Sequence, residues 1–161
     1  MPGDDLQCGN LYCRRPFASQ EGRWIVLMKV LIVEDEPLIA LSLAAELKGA
    51  GHEVLGPSGD PDEALCLAGE HRADIALIDL SVHGTSNGVE LARALHATCD
   101  IPVLFLTTEP SVAHENADAA LGVITFPFNP SDIPESLEAA EIVMHGGSPT
   151  PPSVPQSLEL F

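Results

Sequence analysis

Positive charge is what this sequence has least of. Of 161 residues only 7 are Lys or Arg, against 24 Asp or Glu, for a formal net charge of −17. The basic residues, Arg14, Arg15, Arg23, Lys29, Lys48, Arg72 and Arg93, are scattered, and no Lys or Arg lies beyond Arg93. A surface of that sign repels phosphate backbones and anionic lipid heads, which excludes nucleic-acid and membrane-surface partners. Aromatic side chains are scarce too, five Phe, one Tyr and one Trp, so the core has to be aliphatic. No apolar run approaches the ~18–20 residues of a spanning helix. The cysteines, Cys8, Cys13, Cys66 and Cys99, form no C-x-x-C pair and meet no histidine at zinc spacing, which points to incidental thiols in a reducing, cytoplasmic setting. Arg14-Arg15-Pro16-Phe17 is a weak twin-arginine signature. The stretch behind it contains Lys29 and runs into an acidic cluster without a small-residue cleavage site, so export is rejected.

What is present divides the chain into three. Residues 1–27 carry no apolar periodicity and are expected to be an extension outside the fold, with Met28 as a natural start. Residues 146–161 are rich in Pro, Ser and Gly and are expected to be a flexible tail. Between them, residues 28–145 alternate short aliphatic runs with helical patterns. Strands are expected at 29–34, 52–56, 74–79, 102–107 and 122–126, most of them apolar on both faces as buried parallel strands are. Helices are expected at 37–48, 60–70, 87–97, 111–119 and 130–144. The first carries Leu38, Leu41, Ala45 and Ile39, Leu43, Leu47 at helical spacing, and the second opens with Asp60 as cap before Pro61. The last carries Ile133, Leu137, Ala140 and Met144 as one stripe. This alternation predicts an α/β domain, a doubly wound five-stranded parallel sheet covered on both faces.

In such a sheet chemistry collects at the C-terminal strand ends, near the switch in strand order. Those ends hold Glu34 and Asp35 after the first strand, Asp79 closing the third and Thr107 closing the fourth. Alone, the Glu34-Asp35-Glu36 run would read as the acidic start of a helix. With Asp79 on an adjacent strand, three carboxylates converge, and their repulsion makes sense if a divalent cation sits among them. Oxygen-only ligands select Mg²⁺, which commonly bridges phosphate. The site then reads as a phosphoryl-transfer centre with Asp79 as nucleophile and the Thr107 hydroxyl offered to a phosphoryl oxygen. Gly49-x-Gly51 follows a helix rather than a strand, which excludes a dinucleotide fingerprint. The six histidines, including His83 beside the site, show no ligand spacing. Ser81 stands where an aspartyl phosphatase would place its acid/base, which argues against hydrolysis of a separate substrate.

These motifs, Val-Glu-Asp-Glu-Pro at 33–37, Leu-Ile-Asp-Leu at 77–80, Leu-Thr-Thr at 106–108 and Phe-Pro-Phe at 126–128, each stand at their expected strand ends. Together they resemble the receiver domain of two-component response regulators over residues 28–145, a flavodoxin-like (βα)5 fold. The resemblance implies that a histidine kinase or phosphotransfer protein supplies a phosphoryl group to Asp79. It implies Mg²⁺ held by Asp35, Asp79 and the main-chain carbonyl of Ser81, with Glu34 acting through water, and a cis peptide between Phe126 and Pro127. The chain departs from the family pattern twice. Phe126 occupies the place of a lysine that pairs with the phosphoryl group, and Val123 that of the aromatic that reports the switch. The metal half of the pattern is intact and the readout half is not. The sequence therefore reads as a stand-alone cytoplasmic receiver, not an enzyme, signalling to a downstream protein and open to homodimer formation. The alternative is a receiver-fold interaction module independent of phosphorylation, and a small-molecule phosphotransfer enzyme ranks third.

Overall fold

The computed structural model describes residues 17–18, 24–82, 87–150 and 154–161. A pair of two-residue strands, β1 (Phe17–Ala18) and β2 (Trp24–Ile25), run antiparallel within the stretch expected to be an extension. The domain proper then alternates: β3 (Lys29–Val33), α1 (Pro37–Gly49), β4 (Glu53–Ser58), α2 (Pro61–His71), β5 (Ile75–Asp79), α3 (Asn87–Cys99), β6 (Val103–Thr107), α4 (Pro110–Glu115), β7 (Gly122–Thr125), α5 (Asp132–Met144). A short β8 (Leu158–Leu160) follows. The sheet order is β4-β3-β5-β6-β7-β8, parallel from β4 to β7, with β8 antiparallel on β7. The chain leaves β3 in one direction for β4 and in the other for β5, which puts the topological switch at the β3/β5 junction.

Alternation along each strand splits the core in two. Leu31, Val33, Ala76, Ile78, Val103, Phe105 and Val123 point to the face covered by α2, α3 and α4. Val30, Ile32, Leu77, Leu104, Leu106 and Ile124 point to the face covered by α1 and α5. That is why the strands read as apolar on both faces. Local signals set the helix ends: Asp60 accepts the N–H groups of Asp62 (2.8 Å) and Glu63 (3.0 Å) ahead of α2, as its position before Pro61 predicts.

Several expectations need correction. The five expected parallel strands are all present, but the Pro-rich C-terminal stretch adds a sixth, antiparallel β8, with Leu158 buried and Val154 and Leu160 packed beside it. At the other end Val26 already packs on the core, and the Met28 N–H donates to His52 Nδ1 at 3.1 Å. Packing thus extends past both expected boundaries. Helix α1 buries Ala40, Leu43, Ala44 and Leu47, while Leu38 (76%) and Leu41 (64%) stand exposed, since this apolar helix turns one side to the sheet and one to solvent. In α5, Met144 leaves the buried stripe for the surface. The helix expected at 111–119 breaks after Glu115 into a 3-10 turn, Ala117–Ala119. Cys66 and Cys99 are free thiols; Cys8, Cys13, Arg14, Arg15 and His83 lie outside the described residues.

Candidate phosphoacceptor site

The C-terminal ends of β3 and β5 are adjacent strands in register, Val33 beside Ile78. The residues that follow each apolar run are therefore delivered to one place. Carboxylate oxygens of Glu34, Asp35 and Asp79 all lie within 4.8 Å of one another. Asp35 is exposed, Asp79 half-buried, and Glu34 is 3% exposed. One Glu34 oxygen, Oε1, accepts the Glu36 N–H at 2.9 Å, whereas Oε2 is buried with no hydrogen-bond partner. Burial pushes the Glu34 carboxyl up to about 7, opposed by the Glu36 N–H and reinforced by the charges of Asp79 and Asp35. Burial likewise raises the Asp79 pKa, against the Ser81 N–H that donates to its Oδ1 at 2.9 Å. A buried acceptor without a donor, facing two more carboxylates, fits a hard cation with oxygen ligands.

Thr107 ends β6, the strand next to β5, and is buried. Its Oγ1 accepts the Glu109 N–H at 3.0 Å, and its carbonyl accepts the Phe126 N–H at 2.9 Å. Phe126 stacks at a tilt on Phe128, centroids 4.5 Å apart, and the Phe126–Pro127 peptide is cis. Val123 is fully buried inside the sheet, so this position presents nothing at the surface.

The sequence reading missed Gly88. A Cβ there would lie 2.7 Å from the Asp79 carbonyl oxygen and 2.9 Å from Leu80 Cα, so α3 can start against the end of β5 only with glycine at that place. The Asn87-Gly88 pair at a helix start was the available signal. A cavity of about 750 Å³ sits away from this site, lined by Met28, Ala73, Asp74, Ile101 and Met144 near the N-terminal strand ends, and shares none of the three carboxylates.

Residues 30–138 match the family model of the response regulator receiver domain. The chain belongs to that family. It is 34% identical over 132 residues to the phyllosphere-induced regulator PhyR of Methylorubrum extorquens, covering 78% of this chain and 49% of PhyR. It is 32% identical over 115 residues to the transcriptional regulatory protein PdtaR of Mycobacterium tuberculosis, covering 70% of this chain and 56% of PdtaR. The chain thus spans about half the length of the curated relatives it matches. Among solved structures it resembles the signal receiver domain of a modulated diguanylate cyclase from Desulfovibrio desulfuricans, with a TM-score of 0.63 and 34% identity, covering 70% of this chain and 91% of that one. Receiver domains are signalling domains that work between kinases and downstream proteins, and they bind Mg²⁺ through acidic residues such as those clustered here. No helix among the described residues is long and apolar enough to cross a membrane.

Proposed function

We propose that this receiver accepts a phosphoryl group on Asp79 from a phosphohistidine of a sensor histidine kinase or histidine phosphotransfer protein, in the cytoplasm, and signals by protein contacts. The observation that carries this reading is the three-carboxylate cluster with its buried, donorless Glu34 Oε2. Asp35, Asp79 and the Ser81 main-chain carbonyl would hold Mg²⁺, with Glu34 behind them; the ion, when bound, offsets the charge of the phosphoryl oxygens. An ionised Asp79 oxygen attacks phosphorus while the P–N bond to the donor imidazole breaks and its electron pair stays on the ring nitrogen. Thr107, one strand over, would turn its O–H toward a phosphoryl oxygen. In the test, the protein is incubated with Mg²⁺ and a small-molecule phosphodonor and followed by intact mass. One acid-stable, base-labile phosphate is expected on the parent and none on Asp79→Asn. An unmodified parent would sink the reading.

Phe126 favours a second reading, an interaction module that never needs the phosphate, because a phenyl ring cannot pair with a phosphoryl oxygen. The two part on the behaviour of Phe126→Lys. An ammonium ~4 Å from an anion gains about 4 kcal/mol at an effective dielectric near 20, part of which goes to ordering the side chain. If Asp79 is the phosphoacceptor, Phe126→Lys should lower the beryllofluoride concentration for half-saturation by about tenfold or more. Identical titration curves for parent and variant would count for the phosphate-independent module.

A further inference from the structure

The C-terminal strand is held from several directions. Its backbone pairs with β7, Leu158 opposite Ile124 and Leu160 opposite Gly122, and the Thr125 N–H donates to the Ser157 carbonyl and the Phe161 N–H to the Leu121 carbonyl, each at 2.9 Å. From α4, His114 Nε2 lies 3.2 Å from Glu159 Oε2, and its ring meets Phe161 edge-on with centroids 5.5 Å apart. From the start of α5, Asp132 Oδ2 accepts the Ser157 hydroxyl at 2.8 Å. β7 is shaped for this neighbour: a Cβ at Gly122 would collide with the Glu159 carbonyl and stand 3.1 Å from Leu160 Cα.

The hold is nevertheless light. The strand has three residues, and the His114–Glu159 pair is about half exposed, a setting in which ion pairs contribute little. Short edge elements of this kind open at a fraction of the global unfolding free energy. A continuous set of contacts also joins the strand to the carboxylate site. Thr107 Oγ1 accepts the N–H of Glu109, which immediately precedes α4; α4 carries His114; and His114 touches both Glu159 and Phe161. Turning the Thr107 hydroxyl toward a phosphoryl oxygen withdraws the acceptor from Glu109 and frees the start of α4 to move. β7 supplies a second link, since Thr125 pairs with Thr107 on one side and donates to Ser157 on the other.

We propose that residues 154–161 are a displaceable strap, and that filling the Asp79 site releases it and bares the β7 edge to an extended partner segment with apolar residues at alternate positions. The pattern required is the one Leu158-Glu159-Leu160 itself presents, because an antiparallel strand on this edge buries its first residue among the α5 side chains. The strap would take over the readout that Phe126 and Val123 cannot give, and the proposal rests on the phosphoacceptor reading above.

Amide exchange in the full chain, with and without Mg²⁺ and beryllofluoride, tests it. With both present, the Thr125 and Phe161 amides should exchange about tenfold faster, the scale of an ordinary coupling between sites, while β3 and β5 amides keep their rates. A labelled peptide of residues 154–161, added in trans, should then bind the parent with beryllofluoride and not without it. Beryllofluoride binding, seen by its fluorine resonance, with unchanged exchange at Thr125 and Phe161 overturns the strap and leaves the phosphoacceptor reading standing. Faster exchange throughout the chain also overturns it, as general loosening. Absence of beryllofluoride binding overturns both.

Discussion

At pH 8 and without divalent cations, Glu34→Gln should melt about 10 °C above the parent, and at pH 4.5 the two should melt together. Burial, opposed by the Glu36 N–H and helped by Asp79 and Asp35, raises the Glu34 carboxyl from 4.5 to about 7. A raised carboxyl binds its proton more tightly in the folded chain, so the stability it contributes is complete below pH 4.5 and is lost as pH climbs through 7. A shift of this size corresponds to about 3 kcal/mol, and a domain of this length gains a few degrees per kcal/mol. Glutamine keeps the shape and removes the titration. Mg²⁺ should narrow the gap at pH 8, because a cation bound to the folded state beside an ionised Glu34 stabilises the parent more than the variant. Melting curves from pH 4.5 to 8 at matched ionic strength decide it, because any salt screens the self-repulsion of a −17 chain. Parallel pH profiles for the two proteins would mean that Glu34 is not the buried acid of this cluster.

Leu158→Ala should lower the unfolding free energy by about 2 kcal/mol, read from the urea midpoint at an unchanged slope. Leu158 is 6% exposed among the side chains of the α5 face. Buried leucines lose ~2–5 kcal/mol on truncation to alanine. The lower end applies because a weakened strap can undock instead of holding a cavity open, which caps the loss at its own docking free energy. Leu160→Ala, at a half-buried site, should cost less. Equal midpoints for parent and Leu158→Ala would restore the flexible tail that composition predicts.

The sheet and its switch point were legible because the strands are buried on both faces, so Val30 to Val33 and Ile75 to Ile78 read as unbroken apolar runs. The carboxylates were legible for the same reason: Glu34, Asp35 and Asp79 are the first polar residues after those runs. How deep Glu34 sits was not, since its burial comes from the packing around it and not from its neighbours in sequence. β8 was hidden because three residues carry no readable period, and because what holds them, Gly122 and His114, stands far away in the chain. The exposure of Leu38 and Leu41 escaped as well. An evenly apolar helix gives no direction to its own pattern, and only the position of the sheet decides which side is covered.

Both margins of the sheet are poor templates for joining another sheet. At one end β4 carries Pro57, which has no N–H to offer, and its register with β3 breaks between Leu31 and Val33. At the other, β8 is three residues long with Glu159 at its centre. A chain built this way resists edge-to-edge aggregation while the strap is docked. Removing the strap uncovers Gly122 to Thr125, a parallel-sheet strand with Val123 and Ile124 at its middle, which has neither a proline nor a charge to stop a stranger from pairing. If the strap undocks as proposed, that form is the adhesive one, and the edge it bares would invite aggregation when no partner is at hand to take it.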